Sequence, residues 1–221
     1  MIKAILFDGY GTLFHDALEK LDALCSRIIS DHNLEMKPLD FLNTWDKHFF
    51  PMIMGEEFIT LRESNLITLQ RAFDDLGIES SPVPYVQSIF HQFSETGIYE
   101  DVKPALKALA RTTKGILSNA DSDHLESALT RNDLRFPLVI SSESARCYKP
   151  KPAIFLQALA TLDMNPHEVL YVGDSQEDDI VGAKGAGLQM AWLNRKGAPL
   201  KQDVPAPEFE ISTLLGLSKL I

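Results

Sequence analysis

Cysteine is scarce in this chain of 221 residues, which contains only Cys25 and Cys147. Two cysteines cannot build a disulfide framework for a chain of this length. No Cys-x-x-Cys pair is present to hold zinc. Hydrophobic residues make up 45% of the chain, which is enough for a sizeable core. We therefore expect a reduced protein that folds around its own hydrophobic core.

Long apolar runs and an excess of positive charge are also missing. No stretch approaches the ~18 apolar residues of a membrane-spanning helix, and the short run after Met1 reaches Asp8 without a secretory cleavage site. Lysine and arginine number 21 against 31 aspartates and glutamates, so the formal charge of -10 repels phosphate backbones and anionic lipids. The sequence predicts a cytoplasmic protein that binds a small molecule and neither nucleic acid nor membrane. Its oligomeric state stays open.

Short apolar runs alternate with helical patterns over most of the chain. The predicted strands cover residues 3–7, 115–117, 138–140, 169–172 and 189–193, and the predicted helices between them cover 102–110, 123–131, 153–162 and 178–186. This alternation is typical of an α/β fold with a doubly wound parallel sheet. Ligands bind such sheets at the carboxyl ends of the strands, where Asp8, Ser118 and Asp174 stand.

One long segment breaks the alternation, because residues 15–94 show helical periodicity and no convincing strand. We therefore predict an α-helical cap domain over residues 15–94. It is inserted into a Rossmann-like α/β core domain formed by residues 1–14 and 95–221.

Four short motifs follow the predicted strands in a characteristic order. They are Asp8-Gly9-Tyr10-Gly11-Thr12-Leu13-Phe14, Leu117-Ser118-Asn119, Lys149-Pro150-Lys151-Pro152, and Gly173-Asp174-Ser175 with Asp178-Asp179. In this order they match the motifs of the haloacid dehalogenase-like superfamily, which the chain resembles over nearly its whole length, including the position of the cap. The resemblance implies a hydrolase with a Rossmann-like core and an inserted helical cap.

The resemblance assigns roles to the motif residues. Asp8 would be the nucleophile, since a carboxylate can attack phosphorus or a saturated carbon and form an intermediate that water hydrolyses. The Ser118 hydroxyl and the Asn119 main-chain N–H would bind an oxygen of the reacting group, and Lys149 would neutralise the nucleophile and the developing oxyanion. The turn that brings main-chain N–H groups close to the substrate contains Gly9, Gly11 and Thr12.

The fourth motif predicts a metal site. Its aspartates add to Asp8 a group of carboxylates that cannot all stay ionised together without a cation, and hard oxygen ligands suit Mg²⁺. The resemblance implies coordination by Asp8, the main-chain carbonyl of Tyr10 and Asp174. Asp179 would support the metal directly or through water, and Asp178 is the alternative to Asp179.

The residue two positions after the nucleophile departs from the phosphatase pattern of the superfamily. Phosphatases usually carry a second aspartate there, which protonates the leaving oxygen, whereas this chain has Tyr10. The Asp-x-Tyr-Gly-Thr form is typical of 2-haloacid dehalogenases, which displace halide and need no leaving-group acid. Dehalogenases, however, lack the fourth-motif aspartate and work without metal, whereas this chain keeps Asp174.

The cap departs from the dehalogenase pattern. Dehalogenases carry a Trp-Arg pair whose arginine gathers the substrate carboxylate and the halide, and the nearest match here is Trp45-Asp46. An aspartate in that place would repel a 2-haloacid by on the order of 1 kcal/mol or more. Lys47 or Arg62 could take the place of the arginine.

Weighing these features, the sequence predicts a Mg²⁺-dependent phosphohydrolase. It would act on a small phosphorylated metabolite through an aspartyl-phosphate at Asp8, with Tyr10 at the acid/base position. One alternative is a metal-independent 2-haloacid dehalogenase with an ester intermediate at Asp8. Another is a weakly catalytic binding protein, and all three have the same fold.

Overall fold

A six-stranded parallel sheet forms the centre of the molecule in the computed structural model, which describes residues 1–15 and 17–220 except the side chain of Leu18. Positions 16 and 221, which fall within the predicted cap and core, lie outside the described residues. The strands are β1 (Ala4–Phe7), β2 (Thr113–Ser118), β3 (Leu138–Ser141), β4 (Val169–Gly173), β5 (Gln189–Leu193) and β6 (Phe209–Ile211).

The strand order β3-β2-β1-β4-β5-β6 reverses direction at β1. Strands β2 and β3 lie on one side of β1, and β4 to β6 lie on the other. β1 pairs in parallel with both β2 and β4. In sheets of this kind the crevice for a ligand opens at the reversal, outside the carboxyl ends of the strands. Asp8 and Asp174 follow β1 and β4, so both lie at this crevice.

Helices flank the sheet and form the insertion after β1. The insertion contains α1 (Ala17–Asp31), α2 (Pro38–Ile53), α3 (Leu61–Asp75) and α4 (Val83–Ser94). The flanking helices are α5 (Val102–Ala108), α6 (Ser122–Arg131), α7 (Ser142–Ala145), α8 (Pro152–Leu162) and α9 (Val181–Gly185).

Each face of the sheet is covered by its own apolar layer. Ile5 and Phe7 point into one layer, while Ala4 and Leu6 point into the other, so all four residues of β1 are buried. A strand buried on both faces reads as a continuous apolar run, which is why β1 was recognisable in the sequence. The predicted α/β class with a parallel sheet and an inserted helical cap is confirmed.

The four inserted helices enclose a separate apolar core. Its largest buried side chain is Trp45, whose indole N–H donates to the Thr68 hydroxyl over 2.9 Å. The predicted bounds of the two domains stay a prediction.

A carboxylate from the core domain ties the insertion to the sheet. Asp121 accepts hydrogen bonds from the main-chain N–H groups of Leu61 and Arg62, at 2.7 and 2.9 Å. These are two of the N–H groups that the first turn of a helix leaves without a partner, so Asp121 closes the N-terminus of α3. Lys151 adds a second link, because its ammonium donates to the Gly55 carbonyl over 2.7 Å.

Two elements differ from the sequence-based expectation. The edge strand β6, which spans only Phe209–Ile211, was not predicted. The predicted helix over 178–186 is divided into a π-helical turn, Gln176–Ile180, and α9. No helix among residues 1–15 and 17–220 is long and apolar enough to cross a membrane, and the cytoplasmic location stays a prediction.

Candidate active site

Asp8 lies at the end of β1 in a turn that depends on two glycines. A Cβ atom on Gly9 would lie 2.8 Å from the Ser118 hydroxyl oxygen. One on Gly11, whose φ is +96°, would lie 2.5 Å from the Asp174 carboxylate. Only glycine fits both positions without displacing the side chains of the site.

Lys149 is the centre of the buried charge network. Its ammonium donates to the carboxylates of Asp8 and Asp179, each over 2.6 Å, and to the Tyr171 hydroxyl over 3.0 Å. The hydroxyl of Tyr171 in turn donates to the Leu117 carbonyl. All three donor positions of the ammonium are therefore used, and the nitrogen is fixed against the Asp8 carboxylate.

Burial and the lysine act in opposite directions on Asp8. Burial raises the pKa of Asp8 and the Lys149 ammonium lowers it, with a net result of about 7. Burial also disfavours the ammonium, but the charges of Asp179 and Asp8 outweigh it and hold the pKa of Lys149 well above its usual range. The pair therefore keeps a lysine cation beside a carboxylate that is costly to ionise.

Ser118 and Asn119 reach the site from the end of β2. The Ser118 hydroxyl donates to the same Asp8 oxygen as the lysine, at 3.4 Å. The Asn119 side chain accepts from the Lys149 main-chain N–H at 2.8 Å and donates to the Asp178 carboxylate at 3.4 Å. The Asn119 side chain thus holds the loop that contains Lys149. The contact of the Asn119 main-chain N–H with a substrate stays a prediction.

The carboxylates of Asp8, Asp174 and Asp179 offer ligand atoms that lie within 4.8 Å of one another. The Thr12 hydroxyl donates to Asp174 over 3.3 Å. An all-oxygen donor set of this kind suits Mg²⁺. The residues fit such an ion. The coordination predicted for Asp8, the Tyr10 carbonyl, Asp174 and Asp179 stays a prediction.

Tyr10 is held in an aromatic wall. Its hydroxyl donates to the Phe93 carbonyl over 3.3 Å, and its ring packs against Phe14, Phe93 and His124. Burial raises the pKa of the Tyr10 phenol above its usual range. The phenol therefore stays protonated at neutral pH and cannot act as a base there.

A cavity of about 180 Å³ lies between the insertion and the carboxyl ends of the strands. It is lined by Tyr10 and Asn119, where the chain leaves β1 and β2, and also by Trp45, Asp46 and His124. The rest of its wall is mainly apolar and includes Leu21, Leu42, Phe49, Leu61, Phe90 and Phe93. A cavity of this size and composition fits a small, largely apolar molecule.

Sequence reasoning missed the partners that organise the site from a distance. Tyr171 binds Lys149 and Asp179 from the middle of β4, and His124 packs against Tyr10 from α6. One sequence feature could have indicated the role of Tyr171. It is the one residue with a polar side chain in a buried, otherwise apolar strand, and a buried hydroxyl needs a hydrogen-bond partner.

Comparison with known proteins identifies the family. A family model described as "Hydrolase: haloacid dehalogenase-like hydrolase" matches residues 2–187. The chain belongs to the haloacid dehalogenase-like hydrolases, as its motifs predicted.

Several relatives that span the whole chain are dehalogenases by name. Haloacetate dehalogenase H-2 of Moraxella sp. (strain B) is 25% identical over 100% of this chain and 98% of its own. An (S)-2-haloacid dehalogenase of Xanthobacter autotrophicus is 29% identical over 99% of this chain and 83% of its own. The solved L-2-haloacid dehalogenase of Xanthobacter autotrophicus has a TM-score of 0.79 at 24% identity and covers 100% of this chain and 98% of its own, a likeness of fold.

These relatives overturn the predicted Mg²⁺-dependent phosphohydrolase and favour the dehalogenase alternative. The prediction gave most weight to Asp174 and Asp179 as metal ligands. In the structure, however, Asp179 forms a buried ion pair with Lys149, which partly neutralises the acidic group without a metal. Tyr10 stands where phosphatases of the superfamily carry an aspartate and so indicated a dehalogenase. It was a better guide to function than the retained Asp174.

Proposed function

We propose that the protein is a dehalogenase that displaces halide from a saturated carbon of a small organic halide. The surroundings of Tyr10 are the observation that supports this proposal most directly. Its phenol stands at the acid/base position but is tied to the Phe93 carbonyl in an apolar wall, and a departing halide needs no proton. The whole-length similarity to haloacetate and 2-haloacid dehalogenases supports the proposal.

The reaction would proceed in two steps through Asp8. A carboxylate oxygen of Asp8 attacks the carbon, the carbon–halogen bond breaks, and halide leaves with the electron pair. Water then attacks the Asp8 carbonyl carbon of the resulting ester. The acyl–oxygen bond breaks, and the products are an alcohol, the restored carboxylate and a proton.

Lys149 and Ser118 would serve both steps. Lys149 stabilises the carboxylate before attack, and both residues donate to the oxyanion that forms during ester hydrolysis. The apolar cavity limits the access of water to the carbon and strengthens these interactions.

Because halide leaves without a proton, substitution of Tyr10 gives a direct test of the proposal. Tyr10→Phe should change halide release from small 2-chloro compounds by less than about threefold. Removal of a true general acid typically costs ~10²–10⁴-fold. Treatment with a chelator should not lower halide release. Phosphate release from phosphomonoesters that requires Mg²⁺, with no halide released from any chloro compound, would contradict the proposal.

We also propose that Mg²⁺ binds at Asp8 and Asp174 as an accessory ion that halide displacement does not require. A bound cation would be held by carboxylate oxygens that lie within 4.8 Å of one another. Because it would also withdraw charge from the nucleophile, added Mg²⁺ should slow halide release and never accelerate it.

Calorimetric titration with Mg²⁺ measures the affinity of the proposed site directly. Asp174→Asn should weaken Mg²⁺ binding. The matched control, Asp163→Asn, removes the same charge from an exposed position and should not. Equal binding by the two variants would contradict the proposed site.

A further inference from the structure

Helix α2 forms one wall of the cavity. Among the described residues that line the cavity, the only acidic or basic side chain other than that of His124 is Asp46, which lies on this helix. Leu42, Trp45, Asp46 and Phe49 follow the spacing of one helix face, and all four line the cavity. No described residue pairs with the Asp46 carboxylate, and burial raises the pKa of Asp46. The carboxylate therefore lacks a partner at a position where a substrate would lie.

The neighbouring polar groups do not supply a positive charge. Burial lowers the pKa of His124 to about 4, so the imidazole is neutral at pH 7. Trp45 donates to Thr68, and the Asn65 amide donates to the Leu61 carbonyl over 2.7 Å. At neutral pH none of the described residues that line the cavity carries a positive charge.

The two cations that could have replaced a carboxylate-gathering arginine do not line the cavity, although Arg62 lies behind its Phe90 wall. The Arg62 guanidinium donates to Asp123 over 2.6 Å and rests on the Phe90 ring, 4.5 Å from its centroid. Neither Arg62 nor Lys47 lines the cavity, and Lys47 is exposed on α2. A substrate carboxylate in the cavity would face Asp46 with no described cation on the wall to offset the repulsion.

We infer that Asp46 sets the substrate class. The cavity selects a small organic halide whose polar end donates hydrogen bonds, such as a primary amide, over the corresponding carboxylate. This inference rests on the proposed dehalogenase function and narrows it. The amide N–H groups donate to Asp46, whereas a carboxylate offers only acceptors and a like charge.

Halide release from 2-chloropropionamide and 2-chloropropionate tests the inference, because the two differ only in the polar end. The measured quantity is the amide-to-acid ratio of kcat/KM, compared between variants so that the intrinsic reactivity of each compound cancels. Asp46→Asn should lower this ratio by at least about tenfold, and Asp46→Arg should lower it further in favour of the acid.

Asp40→Asn is the matched control, since Asp40 is an exposed acid on the same helix outside the cavity. It should leave the ratio at the wild-type value. An Asp46→Asn ratio equal to that of the wild type, or a wild type that prefers the acid, would overturn the inference.

Binding of unreactive analogues separates this inference from the proposed function. If neither chloro compound releases halide, the proposed function fails, and the role of Asp46 is decided by the affinities of isobutyramide and isobutyrate measured by calorimetry. Tighter binding of the amide to wild type, by at least about tenfold and lost in Asp46→Asn, supports the inference. Equal affinities, or tighter binding of the acid, overturn it.

Discussion

Asp8→Asn should abolish halide release, with a loss on the order of 10⁴-fold or more, because the amide cannot form the ester intermediate. The fold should survive this change. Burial raises the pKa of Asp8 to about 7, so the ionised side chain is costly to keep in the native state. In the variant, Lys149 retains its ion pair with Asp179. We therefore expect a melting temperature equal to or above that of the wild type.

Thermal unfolding and halide release should be measured on the same preparations. Asp163→Asn serves as the control, because it makes the same substitution at an exposed position whose φ of +53° asparagine accepts readily. The control should keep full activity. Halide release by Asp8→Asn within tenfold of the wild type would contradict the role of Asp8.

Lys149→Met should lower both activity and stability, in contrast to Asp8→Asn. Without the ammonium, the buried carboxylates of Asp8 and Asp179 face each other without compensation, which typically costs ~3–5 kcal/mol for a broken buried pair. Halide release should fall by on the order of 10²-fold or more, the usual cost of losing a group that stabilises a developing oxyanion.

The pH dependence of the residual activity shows how Lys149 acts. Lys149 lowers the pKa of Asp8, so its removal should shift the acid limb of kcat/KM to higher pH, because Asp8 then stays protonated to a higher pH. Lys103→Met, which changes an exposed lysine, should leave both stability and profile unchanged. An unshifted acid limb in Lys149→Met would contradict this electrostatic role.

The positions of the motif residues were predictable from the sequence because they depend on local patterns. Apolar runs buried on both faces mark the parallel strands, and strands of a parallel sheet end at one edge. Asp8, Ser118 and Asp174 therefore lie at the same crevice. The three-residue strand β6 was missed, since so short a run at a sheet edge has no periodicity of its own.

The partners of the charged residues could not be predicted, because they depend on contacts between residues far apart in the chain. Nothing near Asp121 in the sequence indicates that it closes the first turn of α3, about sixty positions away. Asp179 and Lys149, which form an ion pair, are also separated by 30 positions in the chain. The incorrect phosphohydrolase prediction gave weight to these acids as metal ligands and to the lack of a carboxylate-gathering arginine in the cap, before the pairing of Asp179 with Lys149 was known.

Isotope transfer during a single turnover tests the central claim, which is that the reaction passes through an ester at Asp8. Enzyme in excess over a small chloro compound is allowed one turnover in H₂¹⁸O, and the peptide that contains Asp8 and the alcohol product are analysed by mass spectrometry. Attack by Asp8 should place one ¹⁸O atom in the Asp8 carboxylate and leave unlabelled oxygen in the alcohol. Label in the alcohol with none in Asp8 would show that water attacks the carbon directly, which would contradict an ester intermediate at Asp8.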